Sequence, residues 1–332
     1  MAALAVAQGA YAQRPDTALL RQARAVFQPL AANFATPDAP VSQARVALGQ
    51  LLFFDPRISL DGTVSCARCH QPALYGTDGL EFPRGVENRL NPRNAPTVLN
   101  AALQFVEHWR GDRASVEDQA TKALLGAASF GLPSYDTAVA RLKTLGYSAA
   151  FAAAFPDDTV PVSAVNWGRA IGAYERTLVT PAPFDAFLRG ENALDARARA
   201  GLSTFLRVGC ATCHDGMGVG GGKYQPFGVV KQYWLETGST VIDSGRYAVT
   251  KNPDDLYVFK VPTLRNVAMT PPYFHDGSAA TLPLAVRTMG RVQLGRELSQ
   301  QEIDDLIAFL ESLTGALPEN FARAPTLAPT LH

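Results

Sequence analysis

Residues 65–70 read SCARCH, and residues 209–214 repeat the frame as GCATCH. Together the two hexamers use all four cysteines of the chain, each pair followed at once by histidine. A Cys-x-x-Cys pair serves as a redox disulfide, as half of a zinc site or, with histidine directly after it, as the attachment site of a c-type heme. Zinc needs its ligands regrouped within about fifteen to twenty residues, whereas these pairs lie in different halves of the chain. A thioredoxin-like disulfide needs neither the histidine nor a second copy of the whole frame. The spacing therefore points to two covalently attached heme c groups. Cys66 and Cys69 tether one porphyrin and Cys210 and Cys213 the other, with His70 and His214 binding iron from the proximal side.

A chain of 332 residues and 35.5 kDa accommodates about two domains at ~150 residues each, so one heme per domain is the simplest arrangement. Apolar residues make up 47% and charged residues 18%, the balance of a globular protein. Thirty basic residues offset thirty acidic ones, which removes the electrostatic reason to expect nucleic acid or an anionic membrane as partner. No run has the length of a spanning helix, so no membrane span is expected. The start, MAALAVAQGAYAQ, reads as the remnant of a secretory signal over residues 1–12, cut before Gln13. Attachment of heme to Cys-x-x-Cys-His is a periplasmic process in Gram-negative bacteria, so an exported, periplasmic protein is expected.

The legible secondary structure is helical. Residues 299–313 open with a capping box, Ser299 and Glu302, and carry Ile303, Leu306, Ile307 and Leu310 on one face. Residues 163–178 place Trp167, Ile171, Tyr174 and Leu178 at helical spacing, and Pro181 and Pro183 bar continuation. That break divides the chain into an N-terminal heme domain, 13–180, and a C-terminal heme domain with tail, 181–332. A third helix is expected over 115–125, with Ser115 as its N-cap. Similar apolar lead-ins, GQLLFF and GLSTFL, precede the two motifs. The expected fold is mainly α, two cytochrome c-like helical domains each built around one heme. The glycine-rich stretch from 216 reads as a long loop over the second heme and lacks the context of a phosphate cradle.

A heme does chemistry when one axial position is open and carries electrons when both are filled. Outside the motifs, the axial candidates are His108, His275 and His332, together with Met217, Met269 and Met289. Met217 is too near His214 to reach the opposite face without a sharp reversal. Met289, shortly before the last helix, is the candidate for the second iron, where a thioether raises the potential and suits an electron store; a methionine filling a gap in the core is the alternative.

The stretches VPTLRNVAMTPPYFHDGSAATLPLAVRTMGRVQLG, RNAPTVLNAALQFVEHWRGDRASVEDQA and YERTLVTPAPFDAFLRG resemble the bacterial diheme cytochrome c peroxidases, a family that includes the MauG-like diheme enzymes. The likeness runs from about residue 45 to 315. It implies Met289 as the sixth ligand of the high-potential heme, where the MauG-like branch has tyrosine, and His275 as a hydrogen-bonding residue near that heme's edge. It further implies Trp109 as a relay between the hemes, and a calcium ion held by the Asn94 side chain with the Thr270 and Pro272 carbonyls, in keeping with the oxygen donors calcium prefers. The implied activity is reduction of hydrogen peroxide to water at the His70 heme, with electrons from the Met289 heme and a small cytochrome c or cupredoxin as donor. Family members are often homodimers, although the sequence carries no legible dimer motif.

Two departures stand out. Where many relatives carry a removable distal histidine this chain has Val86, which leaves the first heme open without a reductive switch. Where the family has its distal acid this chain reads GAASFG, with Ser129 at the acid's position. Gln119, matching a distal glutamine, is retained and is expected to orient peroxide, but a hydroxyl is a very weak base at neutral pH. Glu81, Glu87 and Glu107 are the acids that have to reach the pocket to replace it. Two rival readings follow: a MauG-like oxidase acting on an organic or protein-bound substrate, and a diheme electron carrier without catalysis.

Overall fold

In the computed structural model, residues 17–327 are described; the signal remnant expected over 1–12 and His332 lie outside them. Helix α1 (Thr17–Arg24) precedes α2 (Gln43–Phe54), whose N-cap Ser42 accepts a hydrogen bond from the Arg45 N–H. The single turn α3 (Cys66–Cys69) holds the first cysteine pair. Next come α4 (Val116–Ala123), capped by Ser115, then α5 (Tyr135–Thr144), α6 (Ser148–Ala154) and α7 (Ala164–Glu175), capped by Ser163. After the prolines stand α8 (Pro183–Arg189) and α9 (Ala196–Val208); α9 ends on Gly209 in the left-handed conformation, directly ahead of Cys210. The stretch after the second motif is not one long loop. It contains α10 (Tyr233–Thr237), α11 (Tyr247–Thr250) and two short antiparallel strands, β1 (Tyr224–Pro226) and β2 (Val258–Lys260), with Tyr224 opposite Lys260. The chain closes with α12 (Leu282–Val292), α13 (Gln300–Glu311), which has the expected capping box, and α14 (Glu319–Ala322).

Glycine decides how the lead-in helices pack. A Cβ on Gly49 of α2 would overlap the Ala170 carbonyl of α7, and one on Gly201 of α9 would overlap the Asp305 carbonyl of α13. Backbone thus lies against backbone at both crossings. Around α2 and α7 the core gathers Leu52, Phe53, Trp167, Ile171 and Tyr174; around α9 and α13 it gathers Phe184, Phe205, Leu306 and Phe309. The chain ends are exchanged between these cores: Leu19, Leu20 and Phe27 pack into the second, and Phe321 of α14 into the first. A fully buried ion pair, Arg265 to Asp185 at 2.6 Å, ties α8 to the segment after β2, and Asp185 also accepts the Leu30 and Ala182 N–H groups.

The halves share a longer repeat than the cysteine motifs. Residues 94–115 correspond without a gap to 260–281, and the local structure repeats with them. Asn100 and Asn266 adopt φ of 59° and 61°, each opening a 3-10 turn, and both side chains bond the Thr180 hydroxyl. The loops 107–113 and 273–279 are each closed by a backbone bridge, Glu107 to Arg113 and Tyr273 to Ala279. Ser115 and Thr281 then cap α4 and α12. The halves interlock through matched bonds: the Asn94 N–H donates to the His275 carbonyl at 2.8 Å, and the Lys260 N–H to the Trp109 carbonyl at 2.8 Å. Among the described residues no helix is long and apolar enough to cross a membrane.

Candidate heme centres

Each cysteine pair sits within one turn of backbone, and no disulfide joins its members. Burial raises every one of them, Cys69 to about 12 and Cys210 to about 11. A redox dithiol needs the opposite, a lowered pKa that supplies thiolate. His70 has its Nδ1 3.0 Å from the Gly76 carbonyl, which fixes the ring and leaves Nε2 as the metal-binding nitrogen. His214 lies near the Val219 and Pro262 carbonyls, but its buried Nδ1 reaches hydrogen-bond geometry with neither. Burial pushes both imidazoles down to about 4, so each is the neutral form that binds a metal.

A cavity opens beside the second motif. Cys210, Cys213, His214 and Met289 all line it, within a largely apolar wall that includes Phe205, Leu306 and Leu310. Met217 packs instead against Leu30, Phe34 and Val179, and Met269 is 43% exposed. The same cavity is bordered by Trp109, His275, Asn94, Thr270 and Pro272. Trp109 donates its indole N–H to the Asn94 carbonyl at 2.9 Å and meets the His275 ring edge-on at 6.3 Å. His275, 2% exposed and enclosed by Phe227, Tyr233 and Phe259, has a buried Nε2 without a hydrogen-bond partner. Asn94 gives its side-chain N–H to the Leu80 carbonyl at 2.7 Å.

At the first motif, Val86 is fully buried and its N–H donates to the Ser129 carbonyl at 3.1 Å. The positions of the missing histidine and the missing acid are therefore side by side. Asn91 reaches the Ala128 carbonyl at 2.6 Å and reinforces this pairing of loops. Gln119 lies on α4, half-buried. Of the three acids considered as substitutes, Glu87 is exposed and paired with Arg89, and Glu81 is exposed beside Gly277. Only Glu107 is buried.

Residues 43–193 match the family described as Di-haem cytochrome c peroxidase. The chain is 41% identical over 311 residues to the cytochrome c551 peroxidase of Pseudomonas aeruginosa, covering 91% of this chain and 88% of the relative. The chain belongs to the diheme cytochrome c peroxidase family. It is 40% identical to the cytochrome c551 peroxidase of Nitrosomonas europaea, over 88% of this chain and 85% of that protein. With the methylamine utilization protein MauG of Methylorubrum extorquens it shares 33% identity, over 94% and 93%. Among solved structures, a MauG-like protein associated with microbial copper homeostasis superposes with a TM-score of 0.76 at 27% identity, covering 89% of this chain and 95% of that one. As a family member the chain is an oxidoreductase with two heme cofactors. Its residues fit them: two sets of paired thiols and neutral imidazoles, an apolar cavity, and buried polar atoms left without partners at His214, His275 and Glu107.

Between the two motifs lies a polar seam that the sequence did not reveal. Glu107 at the start of the 107–113 loop, Glu117 of α4, Glu175 at the end of α7, its C-cap Arg176 and Lys260 of β2 act on one another electrostatically. Arg176 is committed to Glu117 at 2.8 Å. Burial, with Glu107 and Glu117 adding to it, drives Glu175 well above the usual carboxylate range. Burial likewise raises Glu107 and lowers Lys260, and each partly offsets the other's shift. The signal for this seam was present in the gapless correspondence of 94–115 with 260–281, in which Lys260 stands opposite Asn94.

Proposed function

We propose that this family member reduces hydrogen peroxide to water at the heme tethered by Cys66 and Cys69, drawing electrons through the heme tethered by Cys210 and Cys213. Bound at these motifs, heme supplies the redox chemistry, while the protein supplies ligands, orientation and access. In this reading His70 and His214 are proximal ligands and Met289 is the sixth ligand of the second heme. What supports the reading is the difference between the two motifs: Met289 shares a cavity with His214, whereas the resemblance gives Val86, whose N–H donates to the Ser129 carbonyl, where relatives have a distal histidine at the first heme.

Gln119 would orient peroxide, Trp109 would stand between the centres with His275 against it, and a calcium ion would be held by Asn94, Thr270 and Pro272. Periplasmic location, a small cytochrome c or cupredoxin as donor, a homodimer, and division into heme domains at 13–180 and 181–332 belong to the same proposal. With Ser129 in place of the distal acid, peroxide turnover is slow. General acid–base help is worth about 100 to 10,000-fold, so Ser129→Glu raises kcat/KM for peroxide by about 100-fold or more, measured as oxidation of reduced cytochrome c. Turnover already near that level in the unchanged protein, or unaltered by the substitution, contradicts the reading of Ser129 as the site of a missing acid; absence of peroxide turnover in both proteins contradicts the peroxidase function.

Ser129 also favours a second reading, that of a MauG-like oxidase. The test is whether peroxide-treated protein holds its oxidising equivalents until an organic substrate is added, instead of consuming reduced cytochrome c.

A further inference from the structure

Internal symmetry leads to an unassigned residue. In the correspondence of 94–115 with 260–281, Asn94 is matched by Lys260 and Thr270 by Gln104. The three residues proposed to hold a free cation, Asn94 from the first half with Thr270 and Pro272 from the second, therefore have as counterparts Lys260 from the second half with Gln104 and Val106 from the first. In that counterpart position the Lys260 ammonium donates to the Gln104 side-chain oxygen. A tethered cation thus stands where symmetry calls for a second ion.

Lys260 is 4% exposed and lines the cavity of Cys210, His214 and Met289. The other cation of that wall, Arg265, is spent on Asp185 through two hydrogen bonds. Lys260 makes no carboxylate contact among the described residues. Glu107, the acid that acts on it, is reached through Gln104, whose amide donates to Glu107 at 3.4 Å. An ammonium buried without an anion is costly, and a heme brings carboxylates of its own. We propose that Lys260 is the built-in counter-cation of the second heme, paired with a heme carboxylate, and that its charge raises that heme's reduction potential. The assignment rests on the second motif holding a heme, and not on peroxide being the substrate.

The test is potentiometric titration of both hemes in the full chain carrying Lys260→Gln or Lys260→Arg, after confirming two hemes per chain. Removing a nearby positive charge disfavours the more negative, reduced state. K260Q lowers the reduction equilibrium of the second heme by about tenfold, about 59 mV for a one-electron couple, while K260R retains the potential and the first heme is unmoved. Failure of K260Q, but not K260R, to retain the second heme also supports the assignment. It is overturned by an unshifted second heme in K260Q, by an equal shift of both hemes, or by loss of heme from both variants. Peroxide turnover of the unchanged protein is measured in parallel. A shift without turnover sinks the peroxidase reading alone, and turnover without a shift sinks this assignment alone.

Discussion

Asp55 shows how a single side chain fixes the end of the first lead-in helix. It ends α2, is fully buried, and is gripped by Arg57 at 2.6 Å and by the Tyr147 hydroxyl at 2.8 Å. Burial alone would raise its pKa, but the hydrogen bonds from Arg57 and Tyr147 outweigh burial and hold it below the usual 3.8. A carboxyl depressed on folding stabilises the native state above its unfolded pKa, and that stability is lost as pH falls through the folded value. Asp55→Asn therefore costs about 1.5–3 kcal/mol at pH 7, read from urea unfolding. The gap between variant and parent closes below pH 4, and a gap independent of pH contradicts the ionic role. At this scale the sequence was legible where chemistry is local: the caps Ser115 and Ser299 stand where their spacing put them, and each Cys-x-x-Cys pair forms a single turn. It was silent on Asp55, Glu175 and Lys260, whose meaning comes from neighbours far away in the chain.

At the scale of elements, the lead-in helices rely on contacts that only glycine permits. The leucines and phenylalanines of GQLLFF and GLSTFL make the apolar pattern, yet Gly49 and Gly201 are what let the helices approach. Gly201→Val inserts a branched side chain against the Asp305 carbonyl, a backbone group that cannot rotate away. Overpacking of this kind costs typically 1–3 kcal/mol, and it acts on the helix that ends at Cys210. The expected result is a lower Tm with reduced heme incorporation at the second motif and normal incorporation at the first, measured by heme stain of the two halves after proteolysis. Equal loss at both motifs contradicts the claim that α9 and α13 serve the second centre. The glycine-rich stretch after 214 was read as loop because strands of three residues leave too short a pattern to recognise; β1 and β2 form through pairing with each other. The repeat of 94–115 in 260–281 is faint in the sequence for a related reason: it keeps turns, caps and bridges while sharing little beyond Pro-Thr, an asparagine and a glycine.

For the whole molecule, the two halves are one design used twice and then made unequal. Each has a lead-in helix, a cysteine motif, an asparagine-opened turn, a bridged loop and a closing helix pair, and the halves trade backbone bonds at Asn94 and Lys260 as well as chain ends. On the proposed function, the differences from that symmetry are what matter: Val86 and Ser129 for the first motif, Met289 in the cavity of the second, Lys260 matched with Asn94. The most direct test of this asymmetry is the electron paramagnetic resonance spectrum of the oxidised protein and of its Met289→Ala variant. One high-spin and one low-spin ferric signal are predicted for the parent, and only the low-spin signal changes in the variant. Two low-spin signals in every oxidation state, indifferent to cyanide and to loss of Met289, would contradict the account.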